Sequence, residues 1–346
     1  MVHELISAYG LLSKCKLISA KLATEENLRS FHSVDYLNYI KDCDTKASAS
    51  NVNLDASTLD ISLAENDFGI GYDCAPVQQM FNLIQWISGG SLAAVEAILS
   101  RQVQVAINWT GGWHHALRDE ASGYCYVNDI NIAILRLLSR GIEKILYIDY
   151  DLHHGDGVET AFTHTSKVLT LSFHKYECGF FPGSGSIEES DHKKYSINVP
   201  LNDAIQNQPY ADLVTRVVQK VVDKYKPQVV IGQLGADTLA GDPMTGFNLT
   251  LEGPNQCLKQ LLSLNIPLIL LGGGGYHSTN TARLWTQLTA TALNETIDDE
   301  IPDHEHFLNY SPSYSLQIEP NLRKDLNSTD YLETVCTLVS EQIDKL

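Results

Sequence analysis

The sequence predicts an α/β fold with a parallel sheet covered by helices on both faces, and three observations carry that expectation. First, five apolar runs rich in Val, Ile and Leu recur without polar alternation: VQVAINW (103–109), KILYIDY (144–150), KVLTLSF (167–173), QVVIGQL (228–234) and PLILLGG (267–273). Strands that read this way are covered on both faces. Second, helical patterns lie between several of them. Third, 346 residues with 44% hydrophobic and 19% charged content supply a sizeable core and argue against disorder.

Taken in order, the chain opens on a mixed segment, MVHELISAYGLLSKCK, that lacks the apolar core of a signal peptide. The polar stretch 41–67 breaks the alternation and reads as a mobile surface loop. VNDINIAILRLLSRG (127–141) and YADLVTRVVQKVVDKY (210–225) space their apolar residues as helices do. GPNQCLKQLLSL (253–264) places Pro254 near its first turn, a helix-start signal. TNTARLWTQLTATAL (279–293) follows a run of four glycines as another helix, and residues 301–320 read as an irregular, surface-wrapping segment. No internal repeat and no linker divides the chain, so 1–346 is expected to be one domain.

The formal net charge of −18 speaks against nucleic acid as the main partner, since phosphate binding needs basic patches. An acidic surface suits a cationic partner, or serves solubility alone. The seven cysteines are widely spaced and form no C-x-x-C, the pattern of a reduced intracellular chain. Residues 260–282 carry no charged side chain but include Pro267 and Gly272 to Gly275, so no membrane span is expected.

Ligands of open parallel sheets gather beyond the carboxyl ends of the strands, and four polar clusters fall there. They are WTGGWHHALRDEASGY (109–124), DYDLHHGDG (149–157), LGADTLAGDP (234–243) and GGGGYH (272–277). In the second, alternation puts Asp149, Asp151 and His153 on one side. Asp151 and His153 then suit one divalent ion, with Asp237 the natural third ligand. The competing reading is a set of helix caps and ion pairs. In the first cluster, His114 and His115 follow a glycine pair and suit acid–base work, with Asp149 and Asp156 available to orient them. Such a pair also serves structural ends. The glycine run either cradles phosphate through backbone N–H groups, without the frame of a P-loop, or bends past a pocket and presents Tyr276 to an oxyanion.

Five stretches occur in this order: GGWHHALRDEASGYCYVNDI, YIDYDLHHGDGVETAF, GFFPGSG, QLGADTLAGDP and LGGGGYHSTNTARLW. Together the chain resembles the class I zinc-dependent histone deacetylases over nearly its whole length. The resemblance implies an arginase/deacetylase-like three-layer sandwich around a central, mostly parallel eight-stranded sheet. It implies hydrolysis of N-ε-acetyl-lysine in histone tails or non-histone proteins, releasing lysine and acetate. By the same resemblance Asp151, His153 and Asp237 hold zinc, with iron(II) equally suited to such ligands. His114 and His115 are held by Asp149 and Asp156; His115 is the base, and Tyr276 binds the substrate carbonyl. Gly123, Tyr124, Phe181 and Met244 line a narrow tunnel, and Asp73 grips the substrate backbone at its rim. Potassium is implied at Asp149, Asp151, His153, Ser172 and Phe173, and again at Phe162, Thr165, Val168 and Tyr195. A monomer working in nucleus and cytoplasm is expected, away from membranes.

Two departures stand out. Tyr124 replaces the usual Phe, which bears on acyl-chain preference. The family also carries roughly a strand's worth of chain ahead of the segment matching MVHELISAYGLL, so the first strand is expected to be missing and the N-terminus incomplete. Competing readings are deacylation of acetylated polyamines or longer acyl-lysines, and an inert scaffold that only binds acyl-lysine. The resemblance carries no role to His154, which reads as a structural residue or one supporting the ligands from behind.

Overall fold

A computed structural model describes residues 1–49, 68–190 and 193–346. Its sheet holds β1 (Val105–Asn108), β2 (Ile145–Asp149), β3 (Val168–Lys175), β4 (Ser196–Leu201), β5 (Val229–Gln233) and β6 (Leu268–Leu271). All are parallel, in the order β1-β6-β5-β2-β3-β4. The five predicted apolar runs are all strands. β4 was not among them: SINVPL alternates with polar residues and contains Pro200, which is tolerated because β4 is an edge strand.

The helices are α1 (Val2–Ala8), α2 (Glu25–Arg29), α3 (Val34–Ala49), α4 (Met80–Leu99), α5 (Asp129–Ser139), α6 (Asp156–Phe162), α7 (Ile187–Ser190), α8 (Asn207–Tyr225), α9 (Glu252–Ser263), α10 (Ser278–Ala292) and α11 (Thr329–Asp344). The four predicted helices correspond to α5, α8, α9 and α10. The expected loop at 41–67 needs correction at its start. Residues 41–49 continue α3, whose buried Tyr36, Leu37 and Ile40 carry the helical spacing, while Lys41 pairs with Glu25. The remainder of that stretch, 50–67, lies outside the described residues. Among the described residues no helix is long and apolar enough to cross a membrane.

Both faces of the sheet are covered, which is why its strands do not alternate in polarity. Ile145, Tyr147, Val229, Ile231 and Ile269 pack against α4, α5 and α6. Leu146, Ile148, Val230, Leu268 and Leu270 pack against α8, α9, α10 and α11. Six strands pair among the described residues, against the eight expected. The chain ahead of β1 goes into α1 to α4, and β1 borders a cavity of about 650 Å³ lined by Val103, Val105, Ile107, Trp109 and Leu17. On its other side Gln104 and Asn108 carbonyls accept from Leu268 and Gly272 N–H of the β6 side.

The order places a switch point at β2 and β5. After β2 the chain moves to β3 on one side; after β5 it moves to β6 on the other. The crevice beyond such adjacent carboxyl ends is where a ligand fits. Register pairs Asp149 with Gln233 at that end.

One buried histidine ties the helical cap to the sheet layer. His32 lies between α2 and α3, with Nδ1 3.1 Å from Arg118 O and Nε2 accepting Asn128 N–H at 3.0 Å. Burial lowers its pKa to about 4. The unfolded chain takes up this proton near pH 6.5, whereas the folded chain resists until about 4. Stability is therefore lost as pH falls, by about 3 kcal/mol from this residue across that window. Urea unfolding at pH 7 and 5 checks this. His32→Gln is expected to lose about 2 kcal/mol less than wild type between those pH values; equal losses would refute the assignment.

Candidate active site

The strand ends bring the three expected ligand residues together. One donor atom each from Asp151, His153 and Asp237 lies within 4.8 Å of the others, and all three residues are buried. Asp151 and His153 follow β2, and Asp237 follows β5 across the switch point. His153 Nδ1 is 3.2 Å from Asp151 Oδ1 and 3.0 Å from Asp237 Oδ2. The outer oxygens are already satisfied: Asp151 Oδ2 accepts from Gln233 Nε2 and from Gly274 N–H, both at 2.8 Å. Asp237 Oδ1 accepts from Leu152 N–H at 3.1 Å.

The three groups shift one another strongly. Burial and the charge of Asp151 push Asp237 up to about 7. Burial works against Asp151 as well, but His114 and His153 hold it well below the usual carboxylate range. Burial opposes a charge on His153, yet the two carboxylates outweigh it and raise it to about 10. No Lys or Arg bonds either carboxylate among the described residues. Two buried carboxylates converging on one imidazole are a donor set that fits a divalent cation.

The tandem histidines lie beside this cluster, their ring centroids 3.9 Å apart. His114 Nδ1 is 2.7 Å from Asp149 Oδ2, which also accepts from the Tyr147 hydroxyl at 2.6 Å. Burial disfavours its charge, but Asp149 and Asp151 prevail and raise it to about 9. His115 Nδ1 is 2.7 Å from Asp156 Oδ1 at the start of α6. Burial and the charge on His114 lower the pKa of His115. Two adjacent imidazoles are thereby pushed apart, one toward a cation and one toward a base.

Glycines permit this closeness. Gly112 has φ +102°, and a Cβ there would strike Gly272 O. Asp129 receives Gly112 and Trp113 N–H groups and the Ser91 hydroxyl, which pins the turn leading into the histidines. On the opposite side Asp242 accepts Met244 N–H at 2.9 Å and Tyr276 N–H at 2.8 Å. Tyr276 faces the cluster; burial and the charges of Asp151 and Asp237 raise its hydroxyl well above the ordinary range, so it stays a donor.

Of the expected tunnel residues, three make contacts with the catalytic candidates. Phe181 meets His115 edge-on at 4.9 Å, and Tyr124 meets Tyr276 at 5.6 Å. A Cβ on Gly123 would strike the His115 ring and crowd Phe181. Met244 is half-buried and joined to Tyr276 through Asp242, which accepts both backbone N–H groups. Asp73 is exposed at the rim and accepts Gly123 N–H at 2.6 Å. Of the residues expected around potassium, Ser172 and Phe173 lie in β3 behind Asp149. Phe162 and Thr165 close the turn after α6, Val168 opens β3, and the Tyr195 carbonyl accepts from Thr170 N–H.

Gln233, Asp242, Asp129, Tyr147 and Phe180 escaped the sequence reading. Phe180 stacks on His153 at 5.2 Å with ring planes 2° apart. A signal existed for Gln233 alone: an amide inside an apolar strand demands a partner.

A family model described as "Histone deacetylase domain" matches residues 1–292. Histone deacetylase 8 of Xenopus tropicalis is 44% identical over 338 residues, covering 97% of this chain and 88% of the relative. Histone deacetylase 8 of Danio rerio is 45% identical over 342 residues, covering 98% and 87%. Histone deacetylase 1 of Homo sapiens is 38% identical over 349 residues, covering 100% and 70%. With the domain matched over most of its length and the site residues brought to one crevice, this chain belongs to the histone deacetylase family.

Proposed function

We propose that the chain is a metal-dependent protein lysine deacetylase that hydrolyses N-ε-acetyl-lysine to lysine and acetate. The observation that carries the reading is the meeting of Asp151, His153 and Asp237 with the His115–Asp156 pair and Tyr276 at the base of one aromatic opening. Asp151, His153 and Asp237 would hold zinc or iron(II), which supplies a Lewis acid for the amide carbonyl and lowers the pKa of a coordinated water.

The side chains then divide the work. His115 commits its Nδ1–H to Asp156, so Nε2 keeps its lone pair. Its lowered pKa keeps that lone pair free near neutrality. Nε2 takes a proton from the attacking water and returns it to the leaving lysine nitrogen. His114, held as a cation between Asp149 and Asp151, supports negative charge developing nearby. The Tyr276 hydroxyl donates to the carbonyl oxygen as it becomes an oxyanion. Gly123, Tyr124, Phe181 and Met244 enclose the neutral lysine stem and exclude water, and Asp73 meets the peptide at the rim. Potassium at the two carried-over sets, Asp149/Asp151/His153/Ser172/Phe173 and Phe162/Thr165/Val168/Tyr195, would brace β3 against the site. The acidic chain favours basic substrates such as histone tails, in the nucleus or cytoplasm.

Four measurements test the reading. His115→Ala is expected to lower kcat on an acetyl-lysine peptide at least about 100-fold with bound metal retained. Tyr276→Phe is expected to cost about 10²–10³ in kcat, and near-wild-type turnover in either variant would overturn its role. Stripping metal with a chelator should abolish hydrolysis, and zinc or iron(II) should restore it; full activity in metal-free protein excludes metal dependence. The fourth concerns Tyr124, whose ring stands edge-on to that of Tyr276. Tyr124→Phe is expected to change the ratio of acetyl to longer-acyl kcat/KM, whereas identical acyl profiles would remove Tyr124 from specificity.

A further inference from the structure

His154 directly follows His153 yet takes no part in the proposed chemistry. Successive side chains in an extended segment point to opposite sides. His153 turns toward Asp237, and His154 turns into the protein, where both its ring nitrogens find partners. Its Nε2 is 3.1 Å from Glu159 Oε2, and its Nδ1 is 2.8 Å from Ser184 Oγ. Glu159, on α6, is itself anchored by Lys193 and Ser196 at 2.5 Å and by Asn198 at 2.9 Å. The Glu159 end is therefore fixed, and Ser184 is the element being held.

His174, in β3, repeats the arrangement. Its Nδ1 is 2.9 Å from Ser172 Oγ, and its Nε2 donates to Gly185 O at 2.9 Å. The two imidazoles pack 4.6 Å apart. Gly185 has φ +98°, and a Cβ there would strike the His174 ring and lie 2.7 Å from His154 Cγ. Two buried rings thus grip consecutive residues of one loop.

That loop connects β3 to α7 and carries Phe180 and Phe181. Phe180 lies flat on the His153 ring, and Phe181 stands edge-on against His115. Before them, Tyr176 N–H ties the start of the loop to Leu201 O, Phe180 N–H bonds Glu177 O, and Lys175 Nζ lies 4.5 Å over the Phe180 ring. Beyond them, the first anchors are the two histidines.

We infer that His154 is a positioning residue for acyl-lysine turnover: through Ser184 it holds the Phe180–Phe181 wall at the spacing from His115 that the lysine stem needs. The tandem His153–His154 then serves both sides of the tunnel, one ring facing the candidate metal position and the other fixing the loop that stacks back on the first. The inference rests on the deacetylase reading.

The test uses the full chain as wild type, Ser184→Ala, Ser184→Thr and His154→Gln. Wild-type hydrolysis of an acetyl-lysine peptide tests the deacetylase reading by itself; ratios between variants test this inference. Ser184→Ala is expected to raise KM about five- to tenfold, the scale of one buried hydrogen bond, with kcat within about twofold. Bound metal per chain stays unchanged. Ser184→Thr keeps the hydroxyl and restores KM, and His154→Gln, which reaches Glu159 but not Ser184, behaves as Ser184→Ala. Calorimetry gives a readout independent of turnover: a hydroxamate on a lysine-length linker loses affinity in Ser184→Ala, while acetohydroxamate, too short to touch Phe181, does not. Unchanged KM in both Ser184→Ala and His154→Gln, or loss of metal or kcat at unchanged KM, would overturn the inference.

Discussion

Asp151 and Asp237 are fully enclosed, and one oxygen of each is turned toward the same imidazole nitrogen. Burying two carboxylates side by side is costly unless every lone pair is met and a cation is near. Much of the neighbouring structure answers that demand. Gln233 reaches Asp151 from β5, Gly274 reaches it from the glycine run, and Leu152 N–H reaches Asp237. What these donors leave open is the inner edge, where two oxygens and one nitrogen converge. The donor set thus converges on one point while its outer oxygens are held by fixed hydrogen bonds.

The same constraint explains the glycines and the carboxylates that hold loops. Gly112 and Gly272 bring backbone within contact of backbone because no Cβ intervenes, and Gly273 and Gly274 admit the Gln233 and Asp237 side chains. Asp129 and Asp242 then fix the two turns that present His114–His115 and Tyr276. Groups proposed to exchange protons sit on these short, pinned turns at strand ends. The aromatic wall, by contrast, sits on a longer loop secured by buried histidines. Precision near the reacting atoms comes from the sheet, and the shape of the opening comes from loops tied to it.

Burial on both sides made five strands readable, since their apolar runs lacked alternation. β4 was hidden by its polar residues: Ser196 and Asn198 face Glu159, so the alternation that obscured the strand is part of the His154 anchorage. α4 has no legible helical signal in the sequence despite its 20 residues. Its central Gly89 and Gly90, unfavourable in an isolated helix, admit the Lys21 carbonyl and the Asn108 side chain at close range. α3 is polar from Lys41 onward, and the buried Tyr36, Leu37 and Ile40 that dock it lie ahead of that point. In each case a tertiary contact outweighed the local pattern.

Local sequence determined what covalent spacing can reach. The alternation of Asp149, Asp151 and His153 at the end of β2, the adjacency of His114 and His115, and the glycine runs beside them were all readable, and with them the family resemblance. The tertiary structure decided which of these groups meet. Asp237 stands 84 residues from His153 and arrives only because β5 pairs with β2. Gln233 becomes a partner of Asp151 through the same pairing, and Tyr276 faces the cluster because β6 lies beside β5. Ser184 reaches His154 only after a long loop turns back from β3. Side-chain periodicity is a property of a single segment, whereas the order of strands in the sheet is set by which faces can be buried together. That order alone converted separate polar strand ends into one site.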